Sequence, residues 1–374
     1  MGQIEIVPVE SKKQLKQFIK FQYSLYKHEP NWVPYLLLER YKFFNPNKNP
    51  FFNHTDMQSY LAYRDGKLVG RISGIVNHLH NKYHNEKAGF FGFFECINDE
   101  EVASALFKEA EQYVKNQGME IIRGPMNPST NHEIGLLMDA YDQPPVLMMT
   151  YNFPYYVGLI EKSGFTKAKD VYALKIEEPD LKIYEKLKRV NKILRKRNNV
   201  TLRSINMNDF DQEVQRVKDI YNDAWSLNWG FVPMTDEEIE YMAQDLRQLV
   251  EPELVLFAEI DGVPAGFSLS LPNVNEIMIH IRNGKLFPTG IFKFLKYKNS
   301  VTGLRVITLG VKKKYEHLGL GALFYMETIE RGLKLGYNWA EASWILEDNM
   351  KMIRPLMDLG ASVYKTYRIY EKIL

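Results

Sequence analysis

Cysteine is almost missing from this chain: Cys96 alone stands in 374 residues, inside an apolar run. That excludes an intramolecular disulfide framework and any cysteine-rich zinc site, and Cys96 reads as a core residue. An excess of one charge is missing too. Lys and Arg number 48 against 46 Asp and Glu, a formal charge of +2, too small for a nucleic-acid-binding surface over the whole molecule. Any basic partner site must be local. Long hydrophobic runs are absent: no window approaches the roughly 18 apolar residues of a transmembrane helix. The start, MGQIEIVPVESKK, lacks the basic and apolar regions of a secretory signal, and Ile6 and Val7 depart from a myristoylation signal. The expected location is the cytoplasm.

What the chain does have is 45% hydrophobic residues, enough over this length for two or three cores. The order of elements is mixed α/β. A strand (IEIVPVE) and a helix over 12–27 precede a hairpin over 59–77 that turns at Gly66. A buried strand (AGFFGFFEC), an amphipathic helix stopped by Gly118 and a strand (EIIRGPMN) follow. After a polar and aromatic loop come the helix-like YYVGLIEKSG and the strand DVYALKI. Beyond residue 200 the order returns: strand VTLRSIN, helix DFDQEVQRVKDIYNDAW, a hairpin turning at Asp261-Gly262, strand RVITLGV, helix GALFYMETIERGLKLG and strand NWAEASWIL. Gly70 and Gly266 are 196 residues apart, as are Gly164 and Gly360; Gly92 and Gly310 are 218 apart, as are Gly118 and Gly336. Two offsets mean one insertion in each copy of an internal repeat. The boundaries predicted from this pattern are a first domain over 1–178, a basic connecting helix over 179–199 and a second domain over 200–374. In the connecting segment Ile183, Leu187, Val190 and Leu194 recur at helical spacing. It reads either as a helix with a solvated basic face or as a docking face for an anionic partner such as tRNA, a nucleotide tail or a membrane surface.

The stretch EHLGLGA, residues 316–322, lies between the strand-like RVITLGV and the helix-like LFYMETIERGLKLG. Amides at a helix N-terminus point outward with the positive end of the dipole, a geometry suited to phosphate. Glycine at 319 and 321 lets backbone approach an anion and permits turn dihedrals that other residues resist. The first copy tests whether the fold itself demands these glycines, because Glu101 and Ala103 fall opposite Gly319 and Gly321. There the turn reads NDEEVA, whose carboxylates suit an ordinary helix start and repel phosphate. A phosphorylated ligand is therefore expected in the second copy only.

These residues resemble the GNAT acyltransferase superfamily. Its signature is a Gln/Arg-x-x-Gly-x-Gly/Ala turn between the fourth strand and third helix, whose amides take the pyrophosphate of acyl-coenzyme A. Here the turn is Glu316, His317, Leu318, Gly319, Leu320, Gly321 and Ala322. It follows Leu309, Gly310 and Val311, which match the strand edge that hydrogen-bonds the pantetheine arm in the family, and Asn349, eleven residues before Gly360, matches a further family element. Glu316 stands where the family has Gln or Arg, and Leu356 where many members carry the tyrosine that protonates the leaving thiolate. The resemblance covers 200–374 by motif and the first copy by element order. It implies two GNAT-like α/β domains in tandem, each a mixed, mostly antiparallel sheet flanked by helices, the first without the pyrophosphate loop. It also implies acetyl-CoA or another acyl-CoA as co-substrate, no metal, and acyl transfer to an amine without a covalent enzyme intermediate. The expected function is N-acyltransfer, an acetyl group being the first expectation, to a small-molecule or peptide amine. The alternatives are an aminoacyl transferase that takes its donor from charged tRNA and a non-catalytic protein that binds CoA or a peptide.

For the base, the candidates are Glu341 on the fifth strand and Glu347 and Asp348 just after it. Tyr364, Tyr367 and Tyr370 are candidate acids in place of Leu356. Candidate acceptor segments are the polar loop 124–133 (GPMNPSTNHE), the aromatic PPVLMMTYNFPYYVG, and SLNWGFVP with Trp225 and Trp229. The insertion GKLFPTGIFKFLKYKN mixes Phe and Tyr with Lys. It reads as a cover over a lipid or long-acyl site, a contact with a membrane surface, or a cap on the second domain.

Overall fold

The computed structural model of the chain describes residues 2–177, 185, 188–189, 192–193 and 199–374. The connecting helix expected over 179–199, including Ile183, Leu187, Val190 and Leu194, lies for the most part outside the described residues, and with it the tRNA-docking alternative.

Short two-residue ladders and single turns apart, the chain runs β1 (Ile4–Pro8), α1 (Lys12–Leu25), α2 (Leu37–Phe43), β2 (Thr55–Arg64), β3 (Lys67–Asn77), α3 (His78–His84), β4 (Ala88–Cys96), α4 (Glu100–Asn116), β5 (Ile121–Gly124), α5 (Tyr156–Lys162) and β6 (Thr166–Ile176). It continues through β7 (Val200–Ser204), α6 (Phe210–Ala224), α7 (Asp236–Leu246), β8 (Val255–Ile260), β9 (Val263–Pro272) and α8 (Ile291–Tyr297). It ends with β10 (Gly303–Val311), α9 (Leu320–Lys334), β11 (Trp339–Leu346), α10 (Met350–Asp358) and β12 (Ser362–Ile373).

Two compact units account for these elements. Unit 1 is Met1–Val171 with Asn275–Asn299 and Lys365–Leu374; unit 2 is Tyr172–Val274 with Ser300–Tyr364. Two stretches counted by sequence with the second domain thus pack in the first. The insertion that read as a possible cap on the second domain is held to unit 1 by Arg282, whose guanidinium donates to the carbonyls of Tyr26, Glu29 and Trp32. The end of the chain is held there by strand pairing, with Tyr370 opposite Gly124 and Ile373 opposite Ile121.

In unit 1, β1, β2, β3 and β4 pair antiparallel in order, and β4 then pairs parallel with β5. Every residue of β4 is buried, which is why it reads as a continuous apolar run rather than an alternating one. Across it α4 lays Val102, Ala103, Leu106, Phe107, Ala110 and Val114, the spacing of one helical face. Cys96 is a buried free thiol in this core. Asp99 caps α4 by accepting from the amides of Glu101 and Val102. We expect Asp99→Ala to cost about 1 kcal/mol, read as a lower denaturant midpoint of unit 1; an unchanged midpoint would show that the cap is not what starts this helix.

In unit 2, β7, β8, β9 and β10 pair antiparallel in order, and β10 pairs parallel with β11. The β8–β9 hairpin turns at Asp261-Gly262, both at positive φ (51° and 78°), the dihedrals that a two-residue turn matched to strand twist requires. Each unit is therefore four antiparallel strands followed by a parallel pairing, the internal repeat realised as a mixed α/β fold.

A splayed strand pair and an uncapped helix in unit 2

The parallel pairing of β10 with β11 runs from Gly303 opposite Trp339 to Val306 opposite Ala342 and stops there. Beyond it, Ile307–Val311 keep only their β9 partners among the described residues, with Leu309 opposite Ser268 and Gly310 opposite Phe267. One edge of the Leu309–Val311 backbone is thus left open. Gly310 cannot carry a side chain, because its Cβ would lie 2.2 Å from the Trp225 ring.

From that open edge the chain enters a tight turn, Lys313–Leu318, and then α9. Gly319 takes the left-handed conformation, φ +71°, which is natural for glycine and costly for most other residues. No side chain caps α9 among the described residues; the Ala322 amide donates to the Gly319 carbonyl at 3.1 Å, which leaves the amides of Leu320 and Gly321, without acceptors inside the helix, to a ligand. A Cβ on Gly321 would meet nothing within 4 Å, which leaves space directly above those amides. His317 and Glu316 are exposed on the turn. The Glu316 carboxylate, the departure from the family pattern, pairs with Lys351 at 3.0 Å, which offsets its charge beside an anion site. Lys312 precedes the turn, and Lys313 and Lys314 open it. Lys313 is engaged, its amide by Asp223 and its ammonium by Ser226; Lys314 lies over the Tyr315 ring. Three consecutive lysines ahead of a glycine turn were a legible signal for phosphate, and sequence reasoning had passed over them. Helix-terminal amides, the clear space at Gly321 and local positive charge together fit the pyrophosphate of an acyl-coenzyme A.

Unit 1 has the same strand pair in a closed form. β4 and β5 part after Phe90 opposite Arg123, but the gap is filled by the chain itself. A Cβ on Gly92 would lie 1.8 Å from the Met126 carbonyl oxygen, and Asn127 Oδ1 accepts from the Phe93 amide at 2.6 Å. With Asp99 already occupying the α4 amides, unit 1 has neither the open strand edge nor the open helix end.

Among the catalytic candidates, Glu341 is wholly buried on β11. Its carboxylate accepts from Ser343 Oγ at 2.5 Å and from the Tyr364 hydroxyl, and Arg305, opposite it in the parallel register, donates to Ser343. This network lies where the two strands are still paired, so it positions the splay from below. Glu347 is half-buried and Asp348 exposed, just past the end of β11. Asn349 precedes α10 without spending its side chain on a cap. Leu356 packs in the core of unit 2 with Ile353, Leu359 and Ala361, so no polar group occupies the place of the family tyrosine. Tyr370 is corrected by the fold. It belongs to unit 1, not to the unit of Glu341; it is buried in that core, donates to Glu161 at 3.1 Å, and burial pushes its phenol up. Tyr367 is likewise a unit 1 residue.

Unit 1 has a polar cavity of its own, about 50 Å³. Glu95 accepts from Gln22 (2.9 Å), Tyr26 (2.8 Å) and Tyr156 (2.7 Å), with Arg71 at 3.7 Å, and burial pushes its carboxyl up. Glu133 accepts from Tyr35 at 2.7 Å and pairs with Arg40 at 3.4 Å. Asn127 and Glu133 of the loop 124–133 do reach this cavity, whereas His132 is paired with Ser129 at 2.9 Å. Arg71 and Glu95 were missed by sequence reasoning, although each is a charge set in an apolar strand run. The three donors on Glu95 tie β4 to the end of α1 and to α5. Among the described residues no group of His, Cys, Asp and Glu gathers as metal ligands do, and no helix is long and apolar enough to cross a membrane.

No protein-family profile matches the chain. Two curated proteins do: a bacterial ceramide synthase from Caulobacter vibrioides, 39% identical over 99% of this chain and 98% of its own length, and protein YghO from Escherichia coli, 38% identical over 97% of this chain and 93% of its own. Among solved structures, a tandem GNAT protein from the clavulanic acid biosynthesis pathway superposes with a TM-score of 0.57, covering 99% of this chain and 98% of that one at 12% identity. Identity over nearly the whole length makes this chain a member of the family of bacterial ceramide synthase and YghO, and its doubled α/β fold makes it an acyltransferase of tandem GNAT architecture.

Proposed function

We propose that the protein transfers a fatty acyl group from acyl-coenzyme A to the amine of a long-chain amino alcohol, forming an amide. The observation that carries the acceptor class is the 39% identity, end to end, with a protein named for making ceramide, which is a fatty amide of such an amine. The uncapped α9 and the open Leu309–Val311 edge support the donor. When bound, the donor supplies an activated thioester carbonyl.

The chain's own groups have separable tasks in this reading. The amides at Leu320 and Gly321 and the ammonium groups of Lys312 and Lys314 hold phosphate. The backbone of Leu309, Gly310 and Val311 aligns the arm of the donor, as in the resemblance, and Asn349 lines the same end. Glu347 takes the proton that the attacking ammonium must lose, and Glu341 keeps β10 and β11 in register through Ser343 and Tyr364. The balance is simple: a carbon–nitrogen bond forms and the carbon–sulfur bond breaks; of the two protons the ammonium loses, one passes to Glu347 before attack and the second leaves the nitrogen for solvent as the tetrahedral intermediate collapses, while the departing thiolate is protonated by solvent.

The test is to incubate the full chain with palmitoyl-CoA or acetyl-CoA and either sphinganine or a lysine-containing peptide, following amide by mass spectrometry and released thiol by colour. One thiol per amide with palmitoyl-CoA and sphinganine is the expected result. Amide on the peptide alone, or with acetyl-CoA alone, would replace that part of the reading. Glu347→Gln is expected to lower kcat by about 10²–10⁴-fold, with acyl-CoA affinity unchanged and the loss smaller at high pH, where amine is already free. A wild-type kcat in this variant would remove Glu347 as the base.

A further inference from the structure

We propose that unit 1 docks on an anionic lipid bilayer through the insertion around α8. Between Glu276 and Glu316 the chain carries no acidic residue, while Lys285, Lys293, Lys296 and Lys298 follow one another within fourteen positions. In a chain whose total charge is only +2, that is a strong local concentration.

The inner side of the insertion is fully committed. Arg282 donates to the carbonyls of Tyr26, Glu29 and Trp32, so it is an anchor and not part of the exposed charge. The Leu37 amide donates to the Gly284 carbonyl at 2.8 Å, tying the insertion to α2. Met278 and Ile281 are buried with Val33, and Leu286 and Phe294 pack against that cluster.

The outer side has no such partners among the described residues. Phe292 and Leu295, three residues apart and so neighbours on one helical face, are 71% and 52% exposed; Phe287, just before the helix, is 70% exposed, and Leu38 on the adjoining α2 is 81% exposed. Large apolar side chains grouped at a surface mark an interaction site. The lysines that frame them, Lys285, Lys296 and Lys298, are exposed as well, and α2 adds Glu39 and Lys42, which offset each other. Apolar residues ringed by lysines match the boundary between acyl chains and anionic headgroups, where the rings bury and each lysine adds about fivefold in affinity. A seven-residue helix is too short to fold at a membrane by itself. Here unit 1 presents it already folded, so its ordering cost is met before contact.

The experiment is co-sedimentation of the full chain with vesicles of phosphatidylcholine alone or mixed with phosphatidylglycerol. Binding to the mixed vesicles, at least tenfold weaker on the neutral ones and weakened again by high salt, is the expected result. The paired change Phe292→Ser with Leu295→Ser, and separately Lys285→Glu with Lys296→Glu, should each lower affinity at least tenfold while leaving thermal unfolding unchanged, since all four side chains are exposed. No vesicle binding would overturn the proposal, as would equal binding to neutral vesicles. So would a dimer, seen by analytical ultracentrifugation, that the Phe292 and Leu295 changes dissolve without affecting vesicle binding, since the face would then belong to a second copy of the chain.

Discussion

Gly321→Glu is expected to abolish measurable acyl-CoA binding while leaving unit 2 folded. Gly321 has ordinary helical dihedrals and open space where a Cβ would go, so the new side chain meets no steric obstacle. A glutamate there is compatible with the helix dipole, and unit 1 already starts α4 with Glu100 and Glu101. What changes is that a carboxylate enters the open space beside the first amides of α9. Like charges set against each other at a binding surface cost several kcal/mol, so the dissociation constant should rise at least 100-fold, about 2.8 kcal/mol at 1.4 kcal/mol per decade. Calorimetric titration with palmitoyl-CoA and with acetyl-CoA, wild type against variant, reads this directly. Wild-type affinity in the variant would remove the EHLGLGA turn from the donor site, and the search would move to another surface of the fold. Gly321→Ala, which adds no charge, should bind within a few-fold of wild type.

The second large effect is on stability. Glu95→Leu removes the acceptor for three buried hydrogen bonds and leaves the Arg71 guanidinium, itself 4% exposed, without its carboxylate. Arg71 Nη1 would retain only the Phe18 carbonyl at 2.7 Å; its Nε has no partner among the described residues even in the wild type. Breaking a buried ion pair by removing one partner typically costs about 3–5 kcal/mol. That loss should appear as an earlier urea transition of unit 1, followed by near-ultraviolet dichroism because the site is ringed by Tyr26 and Tyr156. The double change Glu95→Leu with Arg71→Met should recover much of it, since replacing a buried pair by apolar groups of similar volume is often nearly neutral. If the single change unfolds at the wild-type midpoint, the cluster is not what holds unit 1 together. The neutral Glu95→Gln should be milder, because it keeps an acceptor and burial already opposes ionisation of this carboxyl.

Much of this fold was legible before any coordinates. The β8–β9 hairpin was written in Asp261-Gly262, the amphipathic α4 in its spacing and in Gly118, and the repeat in four pairs of glycines. The asymmetry between the copies was legible as well, because a helix start made of Asp99, Glu100 and Glu101 and one made of Gly319 and Gly321 have opposite affinities for an anion. Each is a local property, fixed within one turn or one element by dihedral preference, periodicity or charge.

What was not legible depends on contacts between residues far apart in the chain. Tyr370 and Glu341, equally plausible as strand residues, belong to different units, because only pairing with β5 assigns the last strand. The insertion reads as a cap on the second domain until Arg282 is seen to reach the carbonyls of Tyr26, Glu29 and Trp32. The closure of the splay in unit 1 comes from Met126 and Asn127, and nothing in those residue types announces it. Sequence alone was enough to name an acyltransferase architecture and to locate a glycine turn ahead of an uncapped helix, since glycine dihedrals and capping act over a few residues. Which strand edge is open, which carboxylate is already spent on hydrogen bonds and which aromatic side chains are left facing solvent were decided by tertiary structure, because each depends on what distant segments bury.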